Sequence, residues 1–216
     1  APDLRDGEPH RLVFHAFVER GALRSLPAPV SVTLQPPPSA LATFHLEPGL
    51  NLVTLPVEPV VPGHAMLASD LTRLTTAVFV GRLSQREGSR GRFDLALPGL
   101  RPDFLTEPDC GYLIHRKGPA VDLQLPGRQW TKPAGTSLRL EAGLNLVGPP
   151  RGLGRRLTSA ELMERSGAAF VVRILAGSDG RRFEIHLSGE LGGGFELTPG
   201  QGYLVAVPPG RTVGFP

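Results

Sequence analysis

Chemistry needs reactive side chains at workable spacing, so the chain's histidines, its cysteine and its acids come first. The six histidines are His10, His15, His45, His64, His115 and His186. No two have the spacing of a helical zinc pair, and no His-Glu-x-x-His occurs. His15, His45, His115 and His186 fall inside strand-like segments, where satisfied or exposed strand histidines are the expectation. A metal site would have to be assembled from several strands. Cys110 is the only cysteine, so no intramolecular disulfide can form. A thiol nucleophile needs a base and an oxyanion site, and the neighbourhood of Cys110 offers neither, so an incidental half-buried thiol is expected. There is no Gly-x-Ser-x-Gly elbow. Arg151-Gly-Leu-Gly-Arg-Arg156 lacks the Walker spacing and its Lys-Ser/Thr ending. Asp103, Asp109 and Asp179 sit in turn-like segments, without the run of alternating acids a calcium loop uses. Paired carboxylates for glycoside hydrolysis stay open on sequence alone. The sequence therefore assigns no catalytic, cofactor-binding or metal residue, and the chain reads as a non-enzyme.

Two residue types are placed more tellingly. The only asparagines are Asn51 and Asn145, and the only tyrosines are Tyr112 and Tyr203. Both pairs fall at matching places in two copies of one pattern. Leu46-Glu-Pro-Gly-Leu-Asn-Leu-Val53 leads to Gly111-Tyr-Leu-Ile114, and Leu140-Glu-Ala-Gly-Leu-Asn-Leu-Val147 leads to Gly202-Tyr-Leu-Val205. A period of about ninety residues suits a duplicated small domain rather than a solenoid. For the asparagines the favoured reading is an amide bonded to nearby backbone at a strand irregularity, with a ligand contact as the alternative. For the tyrosines it is a corner in which the hydroxyl ties a loop to the sheet, with carbohydrate stacking as the alternative. Trp130, the usual sugar platform, is single and lies in the linker.

The elements that must position these residues are short. Gly (27 residues) and Pro (23) punctuate brief apolar runs, which reads as many turns and short strands. Phe44, Leu46, Leu50 and Leu52 are expected on one strand face, as are Leu138, Leu140, Leu144 and Leu146, with a bulge or tight turn at Pro48-Gly49 and Ala142-Gly143. A helix follows in each copy: Ala65 to Leu74, and one opened by the capping box Thr158-Ser-Ala-Glu161 with Leu157 and Leu162 as its staple and Gly167 as its stop. Strands are expected at 77–83, 92–97, 169–175 and 182–187, then a turn before each tyrosine strand, and a closing strand at 121–125 or 212–215. His10 to Val18 and Val30 to Leu34 form a further strand pair.

The fold class is mainly β: two duplicated small antiparallel β-sandwich or barrel modules, each with one short helix, plus an N-terminal β-hairpin segment. The divisions are 1–43, a strand pair that completes the first module or pairs with a neighbouring chain; 44–126, the first module; 127–137, a linker; and 138–216, the second. Residues 27–34 loosely match 118–125, which suggests a truncated third unit.

Composition narrows the partners. Net charge is only +3, with basic residues almost all Arg. The groups Arg82, Arg86, Arg90 and Arg92, then Arg151, Arg155 and Arg156, then Arg181 and Arg182 are interleaved with acids, so solvated loop arginines are expected rather than a nucleic-acid face. No apolar run approaches a membrane span. No leader-like segment is visible, and Ala1-Pro-Asp reads either as a processed terminus or as a boundary. Scarce Asn and Lys fit a GC-rich genome or a hot habitat equally.

Gly-Leu-Asn-Leu-Val followed later by Pro-Gly-Gln-Gly-Tyr-Leu-Val resembles a β-rich module of secreted bacterial and archaeal surface proteins, whose pattern runs Gly-Trp-Asn-Leu-Ile to Pro-Gly-x-Gly-Tyr-Trp-Val. Here Leu50 and Leu144 replace the first aromatic, Leu113 and Leu204 the second, and Asp109-Cys110 departs from the turn. The resemblance covers about 44–126 and 138–216. It implies an extracellular or cell-surface, non-enzymatic accessory or surface module. The leading reading is a secreted structural or adhesive protein, a subunit of a surface layer or extracellular filament, with self-association or another surface protein as partner. A carbohydrate-binding module of a secreted enzyme is the alternative.

Overall fold

A computed structural model describes residues 10–16, 19–20, 23–24, 28–34, 40–61, 64–84, 91–100, 103–107, 110–130, 139–149, 156–175, 182–190, 194–209 and 213–214. The chain is mainly β, every strand pairing among the described residues is antiparallel, and it forms two compact units, Ala1–Pro38 and Ser39–Pro216. In the first unit β1 (His10–Ala16) pairs with β4 (Ala28–Leu34) over seven residues, from His10↔Leu34 to Ala16↔Ala28. Between them β2 (Glu19–Arg20) and β3 (Leu23–Arg24) form a small hairpin in what the sequence presents as a loop.

The second unit is built from β5 (Ala40–Leu46), β6 (Gly49–Thr54), β7 (Glu58–Pro59), α1 (Ala68–Thr75), β8 (Ala77–Leu83), β9 (Phe93–Ala96), β10 (Gly111–Arg116) and β11 (Val121–Arg128), then β12 (Arg139–Leu140), β13 (Gly143–Val147), α2 (Ser159–Ser166), β14 (Phe170–Leu175), β15 (Arg182–Leu187), β16 (Tyr203–Val207) and β17 (Val213–Gly214). Two four-stranded sheets have matching orders, β6-β10-β8-β9 and β13-β16-β14-β15. A three-stranded sheet, β5-β11-β7, packs against the first, while β12 pairs with β17. Between β5-β11-β7 and the first four-stranded sheet lies one core, in which Phe44, Leu46 and Leu125 meet Val80, Tyr112 and Ile114, with Leu71 of α1 closing the end. A second core gathers Leu140, Leu162, Val171, Phe195, Tyr203 and Val205. Strand β11 runs through Arg128, and Trp130 packs on the first core with its Nε1–H donating to Leu55 O at 2.9 Å, so the expected linker begins later than residue 127.

The facing expected of the opening strands is wrong in one respect. Phe44 and Leu46 are buried, but Leu50 and Leu144 are exposed, and Asn51, Val53, Asn145 and Val147 point inward instead. The reason is local. Gly49 and Gly143 adopt φ of 93° and 97°, a region glycine enters without steric cost. The turn carries the chain from one sheet into another, so β5 and β6 are separate strands and the alternation restarts in opposite phase. Leu146 is buried all the same, but by a different neighbour described below.

The helices end as their sequences dictate. In α2 the Glu161 N–H donates to Thr158 Oγ1 at 3.2 Å and the Thr158 N–H to Glu161 Oε2 at 3.0 Å, the reciprocal capping box. Gly167 stops it with φ 63°. In α1 the cap position is Leu67, so the amino end is closed from elsewhere: the Leu67 N–H donates to Asp70 Oδ2 (3.0 Å) and the Ser69 N–H to Asp103 Oδ1 (3.1 Å). Burial by itself would raise the Asp70 carboxyl, but the Leu67 N–H, His64 and Arg73 together hold it below its usual value.

Candidate functional site

The two asparagines do the same work. Asn51 Oδ1 accepts from the Glu47 N–H at 2.9 Å, and its amide donates to Glu47 O (2.9 Å), Gly49 O (3.3 Å) and Ile114 O (3.4 Å). Asn145 Oδ1 accepts from the Glu141 N–H at 2.9 Å, and its amide Nδ2 donates to Glu141 O (2.8 Å), Gly143 O (3.1 Å) and Val205 O (3.4 Å). Each amide therefore pins the turn that switches sheets.

Both tyrosine rings are fully buried, which removes the carbohydrate-stacking alternative. Tyr112 Oη accepts from the Glu107 N–H at 2.6 Å, and Tyr203 Oη from the Thr198 N–H at 2.7 Å. Burial pushes both phenols up. Phe104 stacks on Tyr112 and Phe195 on Tyr203, with ring centroids 6.5 and 6.1 Å apart. Each phenylalanine also has a guanidinium over its ring: Arg82 is 4.5 Å from the Phe104 centroid and Arg173 4.4 Å from that of Phe195. Arg82 is further held by Asp94 (3.4 Å) and Glu107 (2.6 Å), Arg173 by Glu184 (2.6 Å). These Arg-Phe-Tyr stacks went unread in the sequence, where Arg82 appears as a solvated loop residue. It is a buried member of β8. A signal existed: Arg82 and Arg173 are spaced from Phe104 and Phe195 by the same twenty-two residues, and cations pair with aromatic faces. Arg92 and Arg156 are exposed, whereas Arg86, Arg90, Arg151, Arg155 and Arg181 lie outside the described residues, as do Asp109 and Asp179.

The two four-stranded sheets meet through reciprocal contacts. Val53 bridges to Gln201 and Cys110 to Val147. A Cβ added at Gly202 would sit 2.9 Å from Val53 N and 3.0 Å from Leu52 C, and one at Gly111 would sit 2.8 Å from Leu146 C and Val147 N. Each glycine thus admits the partner strand's backbone, and this approach is what buries Leu146. Cys110 sits in the same seam, where burial pushes its thiol up to about 11, far from the thiolate a nucleophile requires.

One Ser–His pair invites comparison with a catalytic dyad. Ser159 Oγ and His186 Nδ1 are 2.8 Å apart, and Oγ accepts from the Phe195 N–H at 3.0 Å. The serine is fully buried, and Gly194 packs against both side chains so closely that a Cβ there would clash. With its hydroxyl engaged on both sides, the serine ties the start of α2 to the Phe195 backbone.

A cleft of about 330 Å³ opens at the seam between β5–β6 and the 198–201 turn. Leu50, Leu52, Ile174 and Pro199 give it apolar walls, with Thr43, His45 and Glu47 along one side. His45 Nδ1 is 2.7 Å from Asp122 Oδ1 and its Nε2 3.0 Å from Glu47 Oε1. Those hydrogen bonds, to Asp122 first and Glu47 second, raise the imidazole above its ordinary value. The two carboxylates take opposite ring nitrogens and so do not converge on a common point. Among the described residues no group of three His, Cys, Asp or Glu side chains is arranged to hold a metal ion, and no helix is long and apolar enough to cross a membrane. Comparison with protein-family models, with curated proteins and with solved structures finds no match to this chain.

Proposed function

We propose that this is a non-enzymatic structural protein that works by self-association, in the manner of a subunit of a surface layer or extracellular filament, and that its two similar halves arose by duplication of one module. The observation that carries the reading is the distribution of side chains between interior and surface. The asparagines, tyrosines, Arg82, Arg173 and Ser159 are consumed by internal bonds. The outer strands, by contrast, carry uncovered apolar groups: Phe93 and Leu95 on β9, and Phe183, Ile185 and Leu187 on β15 are 41–58% exposed. A row of that kind on a sheet edge is what assembling chains present and monomers suppress. The extracellular setting rests on the resemblance of the Gly-Leu-Asn-Leu-Val and Gly-Tyr-Leu segments to secreted surface modules. Sedimentation of the full chain across a concentration series tests the proposal. Association that grows with concentration supports it, and a monomer at every concentration refutes it. The competing carbohydrate reading turns on the cleft, which lacks an exposed aromatic floor, since Phe44 in its lining is buried; saturable retention on immobilised polysaccharide would restore it.

A further inference from the structure

We infer that the contact surface for self-association is the free edge of β15, which pairs with β15 of a second copy of this chain. The inference rests on the self-association reading and names its site. Among the described residues β15 has one neighbour, β14, and ends its sheet. Leu187 is already closed, since its N–H donates to Glu190 Oε2 at 3.1 Å and its carbonyl accepts from the Glu190 N–H at 3.2 Å. Residues two apart on a strand send their backbone groups to the same side, so the open stretch of the edge is Phe183 to Ile185. Those two residues are also 58% and 52% exposed, so unpartnered backbone and uncovered apolar surface coincide.

The occupant follows from continuity with an interface the fold already has. Sheet register places Leu146 beside Leu204, Leu204 beside Val172, and Val172 beside Ile185, one ladder across one face. At its Leu146 end this face is covered by the Gly111 strand of the neighbouring sheet, and Leu146 is 2% exposed. At its Ile185 end it is uncovered. A second copy supplies a strand of matching character. Antiparallel pairing about a twofold axis sets Phe183 of one copy opposite Ile185 of the other and continues the apolar face. It also sets the two Glu184 side chains together on the opposite face, where each carboxylate is already held by its own Arg173 at 2.6 Å, so like charges do not meet bare. An isologous contact of this kind joins two four-stranded sheets into one of eight strands.

The test uses the full chain. Sedimentation of the native protein should show the associated species, and Ile185→Lys should abolish it with far-UV circular dichroism unchanged, whereas Leu74→Lys, at an exposed leucine on α1, should leave it intact. Independently, Glu184→Cys in a Cys110→Ser background should yield a covalent dimer on mild oxidation. Association that survives Ile185→Lys, or an associated Glu184→Cys chain that yields no covalent dimer, overturns the β15 assignment while leaving self-association standing. A native chain that is monomeric throughout overturns both. Should Ile185→Lys fail to fold, the cross-link decides alone.

Discussion

Gly202→Ala tests the seam between the two four-stranded sheets most directly. Gly202 has ordinary backbone geometry, so alanine is conformationally allowed there, and in open space the change would stabilise by about 0.4–1 kcal/mol through the unfolded chain. The seam is not open. The new methyl would lie 2.9 Å from Val53 N, 3.0 Å from Leu52 C and 3.1 Å from Val53 O. All three are backbone atoms of β6, held by its pairing with β10, and cannot rotate aside as a side chain can. Overpacking of this kind costs about 1–3 kcal/mol, so the net loss should be about 1–2 kcal/mol. For a unit of this size that lowers Tm by about 2–8 °C. Gly118→Ala is the control, because its added methyl meets only Arg116 Nη2 at 3.6 Å. Gly111→Ala should behave like Gly202→Ala, and the double variant should lose less than the sum, since either methyl already parts the same seam. Urea unfolding followed by circular dichroism reads all four. A Gly202→Ala chain as stable as Gly118→Ala would refute the close approach.

Tyr203→Phe should cost about 1–2 kcal/mol in the same assay, because the Thr198 N–H loses its acceptor while the stack on Phe195 remains. Thr158→Ala should cost about 1 kcal/mol by removing the acceptor of the Glu161 N–H, with the loss confined to the α2 end of the unit in hydrogen exchange. Cys110 should react slowly with a disulfide reagent at pH 8 in the native protein and rapidly after unfolding, and Cys110→Ser should leave the fold intact, because the thiol is held protonated in the seam. The imidazole of His45 should titrate above 6.5 by NMR, and Asp122→Asn should bring it back toward that value. Since the folded value is the raised one, the contribution of His45 to stability is complete below pH 6.5 and disappears as pH rises through the folded midpoint.

What the sequence made legible was whatever depends on neighbours along the chain. Strands 77–83 and 182–187 appear at their expected bounds, and Thr158, Glu161 and Gly167 cap α2 as their spacing requires. The tyrosine corners and the backbone-bound asparagines were also readable, because few roles suit a lone polar group beside a turn. The facing of Leu50 and Leu144 was not, since period-two alternation does not reveal that a glycine turn has moved the chain into another sheet. The burial of Arg82 has no local signature, because it depends on Phe104 and Glu107, more than twenty residues away. The Ser159–His186 pair, the glycine seam and the cleft are products of three-dimensional register, and no local pattern encodes them.

Corresponding positions in the two halves differ in an instructive way. Register equates Arg116 with Val207, since these residues face Gly49 and Gly143 respectively. Val207 is buried in its core, whereas Arg116 is buried and donates to Thr75 O (2.7 Å), Pro119 O (3.0 Å), Leu46 O (3.2 Å) and Thr76 Oγ1 (3.3 Å). Thr76 in turn holds the left-handed C-cap, φ 51°, that Gly167 holds in α2. Likewise Ala96 stands where His186 stands, each opposite a buried valine, and α1 opens on Ala68 where α2 opens on Ser159. In each of these exchanges the polar group comes together with partners in its own half, whereas His115, which stands where Ala206 stands, keeps a buried Nδ1 with no hydrogen-bond partner among the described residues. By contrast Asn51 and Asn145, Tyr112 and Tyr203, and Arg82 and Arg173 match in residue and in their main bonds, and Gly111 and Gly202 match in residue and in close backbone approach. These are the groups that close the sheet-switching turns, tie the loops to the sheets and let the two sheets touch. Where the halves agree, they agree on the bonds that set backbone geometry, and where they differ, each half supplies its own packing around that shared frame.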